Sequence, residues 1–290
     1  MKDSKVTDLH MHTSASDGTD SVQERIEDAA EKGLDAIALT DHDTINPGLD
    51  ERVYVDDEAG VEVITGAEIK CEVQGSGIEI LSYFLDPNSD EINSLLEKNS
   101  QLREQRIKDM IGNLNEVLDY DLTEEEVFDQ VEGNPGRPHV ADALEKAGAV
   151  DTQQEAFDEY IGEDCPAYIP TPKQDAEEVI ETVLEDGGVP VLAHPGRDLE
   201  ESEAEDIVEE LVGYGLKGIE VMYSWEHKKA NNFGISFAEE KCRELAEEYD
   251  LIWTGGSDCH GSGSDKYLIG SVELPYSHVE RLKERADAAV

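Results

Sequence analysis

The chain has 290 residues, with 70 Asp and Glu against 23 Lys and Arg and a formal net charge of −47. Nucleic-acid affinity rests on neutralising phosphates with cations, so this balance excludes a long nucleic-acid footprint. It does not imply disorder, because the 38% of hydrophobic residues recur in periodic blocks. Self-repulsion on this scale opposes folding in dilute buffer and is screened at molar salt, where the Debye length is about 3 Å, so the expectation is a cytoplasmic, halophilic protein. Cys71, Cys165, Cys242 and Cys259 show no Cys-x-x-Cys spacing and no secretory signal precedes them, which implies reduced intracellular thiols. No apolar run approaches membrane-spanning length, and no membrane partner is expected.

In chain order, the run from Val6 to Met11 predicts a strand, and Asp17-Gly18 a polar turn after it. Asp20 is placed to cap a helix with Val22, Ile26, Ala29 and Ala30 on one face, ending at Gly33. A second strand covers residues 35–40, a short helix with loops is expected in 46–60, and strands follow at 61–69 and 78–85. Alternating strands and helices imply βα units in a mostly parallel sheet or barrel. Residues 88–172 break the rhythm with a long amphipathic helix from Ile92 to Leu118, a Thr123/Glu126 capping box, a helix starting near Pro138 and another over 153–163. The rhythm resumes with a helix over 173–186, a strand over 189–197, a helix to 214, a strand over 218–223, a polar helix over 228–249, a strand from Leu251, a short strand near 269–274 and a terminal helix. The domains read as residues 1–87 with 173–290, interrupted by a helical cap over 88–172.

His10 and His12 are two apart, so on a strand both imidazoles leave one face. His42, Glu68, His194, Asp258 and His260 also fall at strand C-terminal ends, the face on which α/β barrels build active sites. Imidazole with carboxylate suits Zn, Mn or Fe rather than Ca. Cys259 reads as packing, Asp41 as the orienter of a ligand, Asp43 as a loop residue, His227 and His278 as surface, and Trp225 and Phe233 as helix packing.

The motifs His10-x-His12, Asp17-Gly18, Thr40-Asp-His-Asp-Thr44, Gly66-Ala-Glu-Ile69, Ala193-His-Pro-Gly-Arg197 and Gly256-Ser-Asp-Cys-His-Gly261 resemble the PHP family, named for polymerase and histidinol phosphatase domains. With Gly136-Arg-Pro-His139 the chain is most similar to the stand-alone PHP phosphoesterases acting on nucleoside 3′,5′-bisphosphates and short RNA 5′ ends. The resemblance implies a distorted seven-stranded (β/α) barrel carrying two or three divalent ions of Mn, Fe or Zn. It implies His10, His12, Asp17, His42, Glu68, Glu79, His194, Asp258 and His260 as metal ligands, with Asp258 and His194 catalytic, and Arg137, His139, Arg197 and Tyr223 for the substrate. Glu79 stands where this subgroup usually has histidine. The implied reaction is in-line attack on phosphorus by hydroxide shared between metals, on a small phosphorylated nucleotide or short oligonucleotide. Histidinol-phosphate phosphatase and a non-catalytic metal-binding PHP domain are the alternatives.

Overall fold

A computed structural model of the protein describes residues 5–129, 131, 135–170, 173–225, 235–264 and 266–286; His227 and Phe233 lie outside them. The chain divides into two compact units, Met1–Leu96 with Lys173–Val290, and Glu97–Pro172. In the first, β1 (Val6–Met11), β2 (Ala36–Leu39) and β4 (Glu62–Val73) run parallel. β5 (Ser76–Tyr83) turns back against β4 and is also antiparallel to β7 (Val189–Leu192), after which β8 (Gly218–Tyr223) and β9 (Ile252–Gly256) continue parallel to β7. The seam between β1 and the end of β9 is joined by Asp258 N–H donating to His10 C=O and His12 N–H to Cys259 C=O, each at 2.9 Å. The sheet is therefore a nearly closed barrel, and the strand ends converge on one face.

Apolar stripes hold the helices to this sheet. On β1, Met11 packs with Ile37 and Leu39 of β2 and with Ile26 and Ala29 of α1 (Val22–Lys32), and Cys259 joins them. On the far side Val179, Ile180 and Val183 of α6 (Ala176–Glu185) and Ile207, Val208 and Leu211 of α8 (Ala204–Tyr214) cover Ile69, Ile80, Leu192 and Ile219. Each such side chain contributes about 1.5–3 kcal/mol relative to exposure, more than helix propensity supplies. In the second unit Ile107, Met110, Ile111 and Leu114, from the helix α2 (Asp90–Val117), pack with Val140, Ala141 and Leu144 of α4 (Arg137–Ala147). The expected capping box forms at α3 (Glu124–Phe128), where Thr123 and Glu126 satisfy each other's backbone N–H groups. No helix among the described residues is long and apolar enough to cross a membrane.

Five local expectations need correction. Residues 46–60 form no helix; Val53–Val55, alternating β-branched and aromatic, pair antiparallel with Glu62–Ile64. The strand expected to reach residue 197 ends at Leu192, because Pro195 starts a helical turn, α7 (Pro195–Asp198). Ser21, not Asp20, caps α1, since the Asp20 carboxylate is drawn to the buried Arg25 guanidinium and the Ser262 N–H. Past α5 (Gln153–Ala156) the helix expected over 153–163 loosens into a π turn, Phe157–Ile161. His278 is half-buried, its ring stacked on Trp253, rather than free on the surface.

The barrel must close against a net charge of −47. Thermal unfolding followed by circular dichroism should show a cooperative transition at ~2 M KCl and lose it in dilute buffer, because screening collapses from about 3 Å to tens of ångströms. A midpoint unchanged by salt would refute the charge argument.

Candidate metal centre

The end of β1 and the segments that follow β1, β2, β7 and β9 bring His10, His12, Asp17, His42, His194, Asp258 and His260 together with Glu68 and Glu79, which stand within β4 and β5 rather than at a strand end, because β4 runs on to Val73. The alternation of β1 sends His10 and His12 to one face, with their Nε2 atoms 3.3 Å apart. Glu68, on β4, sets one carboxylate oxygen, Oε2, 3.4 Å from His10 Nε2, 3.3 Å from His12 Nε2 and 3.1 Å from His42 Nδ1, and gives Oε1 to His194 Nε2 at 2.8 Å. Asp258 Oδ1 lies 3.3 Å from His12 Nε2 and 3.5 Å from His260 Nδ1. Asp17 returns on its loop to within 3.4 Å of His260 Nε2 and 3.8 Å of His42 Nε2. Glu68, Glu79, Asp258 and every one of these imidazoles except His42 are buried.

The backbone is bent to achieve this. His194 and Asp258 sit at φ 20° and 56°, a region that costs about 1–3 kcal/mol for a residue with a side chain and is tolerated where surroundings over-determine it. At Gly256 a Cβ would collide with the His10 backbone, so only glycine lets β9 lie this close to the first histidine. The loop carrying Asp17 is held by Asp41, which accepts from Thr13 N at 2.7 Å, Thr13 Oγ1 at 2.6 Å and Ser16 Oγ at 2.7 Å.

Burial disfavours a charged His12, yet the Asp258 and Glu68 carboxylates outweigh it and push its pKa up to about 10. Burial and Arg197 act against a charged His194 too, but Asp198 and Glu68 raise it to about 9. Burial would raise Glu68 and Asp258, and the imidazoles around them hold both well below the usual carboxylate range. The set fits divalent ions on a separate count: Glu68 Oε2 and His12 Nδ1 are buried and make no hydrogen bond among the described residues. Imidazole nitrogens ringing an oxygen that accepts nothing from them is the donor chemistry of Mn, Fe or Zn.

Of the residues expected to serve the substrate, Arg197 lies on the helical turn beside His194 and bonds Glu79 and Asp198. Tyr223 is buried and spends its hydroxyl on Asp258 Oδ2 at 2.7 Å. Arg137 and His139 open α4 in the second unit. Trp225 and Cys259 are packed in the cores, as expected. Sequence reasoning missed Glu220, which bonds His10 Nδ1 at 3.1 Å and accepts from His194 N at 2.9 Å, fixing the ring so that Nε2 faces the cluster. A lone carboxylate between Ile219 and Val221 was its signal. It also missed Lys70, Asp198 and Lys266, whose Nζ lies 3.2 Å from His260 Nε2, and Asp8, which takes Ser257 N–H at 2.9 Å.

A barrel that gathers imidazoles and carboxylates in this way defines a metal-dependent hydrolase. The sequence profile of the PHP domain matches residues 8–163. A 5′-3′ exoribonuclease of Haemophilus influenzae is 31% identical over 88% of this chain and 90% of its own length. A phosphoribosyl 1,2-cyclic phosphate 1,2-diphosphodiesterase of Eggerthella lenta is 29% identical, covering 88% and 94%. A 3′,5′-nucleoside bisphosphate phosphatase of Chromobacterium violaceum is 27% identical, covering 92% and 91%. Among solved structures, a Bifidobacterium adolescentis protein described as a metal-dependent phosphoesterase superposes with a TM-score of 0.79 at 31% identity, covering 97% of this chain and 96% of that one. The chain belongs to the PHP domain family and is a metal-dependent phosphoric ester hydrolase.

In the metal-free protein His12 and His194 hold protons more tightly than unfolded imidazoles, whose pKa is 6.5. Their contribution to stability is full below that value and is lost as pH rises through about 9 and 10. The thermal midpoint of metal-stripped protein at constant high salt should fall across that window, and manganese should raise it most at the alkaline end, where protons no longer compete for the nitrogens. A metal-free midpoint that stays flat over the same range excludes this ionisation state.

Proposed function

We propose that this phosphoesterase acts on the 3′-phosphate of nucleoside 3′,5′-bisphosphates, on short 5′-phosphorylated oligonucleotides, or on both. One observation carries the reading. Among 70 acidic residues, Arg137 contacts no carboxylate among the described residues; its guanidinium lies over the rings of Phe157 and Tyr168, at 5.6 and 5.7 Å, and reaches Ile161 C=O at 3.4 Å. A cation left uncompensated in such a chain is available to an anion brought by a substrate, and a bisphosphate or 5′-phosphorylated end has a phosphate beyond the one being cleaved. Relatives spanning nearly the whole chain are named for these two substrate classes.

In this reading His10, His12, Asp17, His42, Glu68, His194, Asp258 and His260 hold two or three ions of Mn, Fe or Zn. Bound ions supply Lewis-acid activation of water and neutralise the phosphoryl oxygens. The oxygen of water attacks phosphorus in line, the P–O bond to the nucleoside breaks, and the leaving oxygen takes up a proton. The protein's part is orientation: Glu220 sets His10, Tyr223 sets Asp258, and Asp41 sets the loop of Asp17. Asp258 and His194, both on bent backbone, are assigned to the reacting centre. Arg197 adds positive charge beside it. His139 accepts Gly136 N–H on Nδ1 at 3.0 Å and is assigned to the substrate with Arg137.

His12→Ala or Asp258→Ala should abolish metal-dependent hydrolysis while circular dichroism at high salt stays native; undiminished turnover by either variant would sink the assignment. Arg137→Ala should raise KM for adenosine 3′,5′-bisphosphate by about tenfold or more, the worth of a charge-assisted hydrogen bond, and leave a plain aryl phosphate unchanged. Equal losses on both would remove Arg137 from the substrate. Preference for a ribose 1,2-cyclic phosphate or for histidinol phosphate in the same assay would replace the bisphosphate with that ester.

A further inference from the structure

Glu68 and Lys70 are two apart on β4 and leave the same face, while Ile69 between them is buried in the core. The antiparallel register sets Lys70 directly opposite Glu79 of β5, and Lys70 Nζ donates to Glu79 Oε1 at 3.1 Å. From the other side Arg197 donates Nη2 to Glu79 Oε2. Asp198 aims that guanidinium by accepting its Nε–H at 2.8 Å. Both oxygens of a carboxylate only 2% exposed are thus held by protein cations. The same oxygens stand 4.0 Å from His42 Nδ1 and 3.5 Å from His194 Nε2, so Glu79 also completes two donor groups, with His42 and Glu68 and with His194 and Asp198. The two uses compete. A divalent ion bound to either oxygen, at about 2 Å, would face an ammonium or a guanidinium at short range in a buried site.

We infer that Glu79 is not a metal ligand in this protein: it is the counter-ion that fixes Lys70 and Arg197 at one corner of the centre, where protein cations stand in place of a divalent ion. The inference rests on the phosphoesterase reading above. It makes Lys70 a positioning partner of the centre, and a phosphoryl oxygen reaching this corner meets N–H donors, whose hold does not depend on metal supply.

Manganese bound to metal-stripped full-length protein at high salt, counted by equilibrium dialysis and elemental analysis, tests this on the wild type, on Glu79→Gln, and on Lys70→Gln combined with Glu79→His. The amide keeps the shape of the side chain and an acceptor oxygen. Glu79→Gln should bind as many ions as the wild type, and the double variant one more, since an imidazole then faces a corner cleared of the ammonium. One ion fewer in Glu79→Gln, or equal counts in the double variant and the wild type, overturns the inference; the double variant decides alone if the single one does not fold. A wild type that binds no manganese would remove the metal reading itself, and this inference with it, so the two failures are distinguishable.

Discussion

A single carboxylate organises the centre. Glu68 meets four imidazoles, three through one oxygen at 3.1–3.4 Å and His194 through the other at 2.8 Å, in a place almost closed to solvent. A buried charge without compensation costs several kcal/mol, so the carboxylate requires either protons on those rings or cations among them. Glu220, Tyr223 and Asp41 then work at one remove, each spending a carboxylate or hydroxyl on keeping a group aimed at the cluster.

Much of this was legible in the sequence because metal-ligand residues announce themselves by type and by place. His10 and His12 two apart on an apolar strand, and Asp258 and His260 just past another, carry period-two alternation, and strand-end position does the rest. What stayed hidden depends on pairing between distant strands. Glu79 and Lys70 become partners only through antiparallel register, and a βα rhythm suggests parallel neighbours, so their contact had no local sign. Val53–Val55 was hidden for a related reason: three residues are too few to show a period, and the pairing with β4 makes them a strand. At Arg197 the error was local, since Pro195 is compatible with either a strand end or a helix start and the bend at His194 decided it.

Several of the scarce cations have a traceable use. Arg25, fully buried, ties Asp20 and Asp28 to Cys259 Sγ and so braces the loop between Asp258 and His260 from behind. Arg52 gathers the Phe84 carbonyl and Asp186, and Lys70 and Arg197 share Glu79. These are buried or half-buried pairs, where solvent screening is weakest and salt weakens attraction least. Acids such as Glu27, Glu51 and Glu72 are exposed to water, where salt relieves their repulsion.

The seam between β1 and the end of β9 carries a consequence for synthesis. His10 and His12 leave the ribosome early, but the strand that closes against them, with Asp258 and His260, follows nearly 250 residues later. Translation at about 5–20 residues per second leaves the first histidines without those partners for many seconds. The full set of donors is therefore assembled only once the end of β9 has closed against β1.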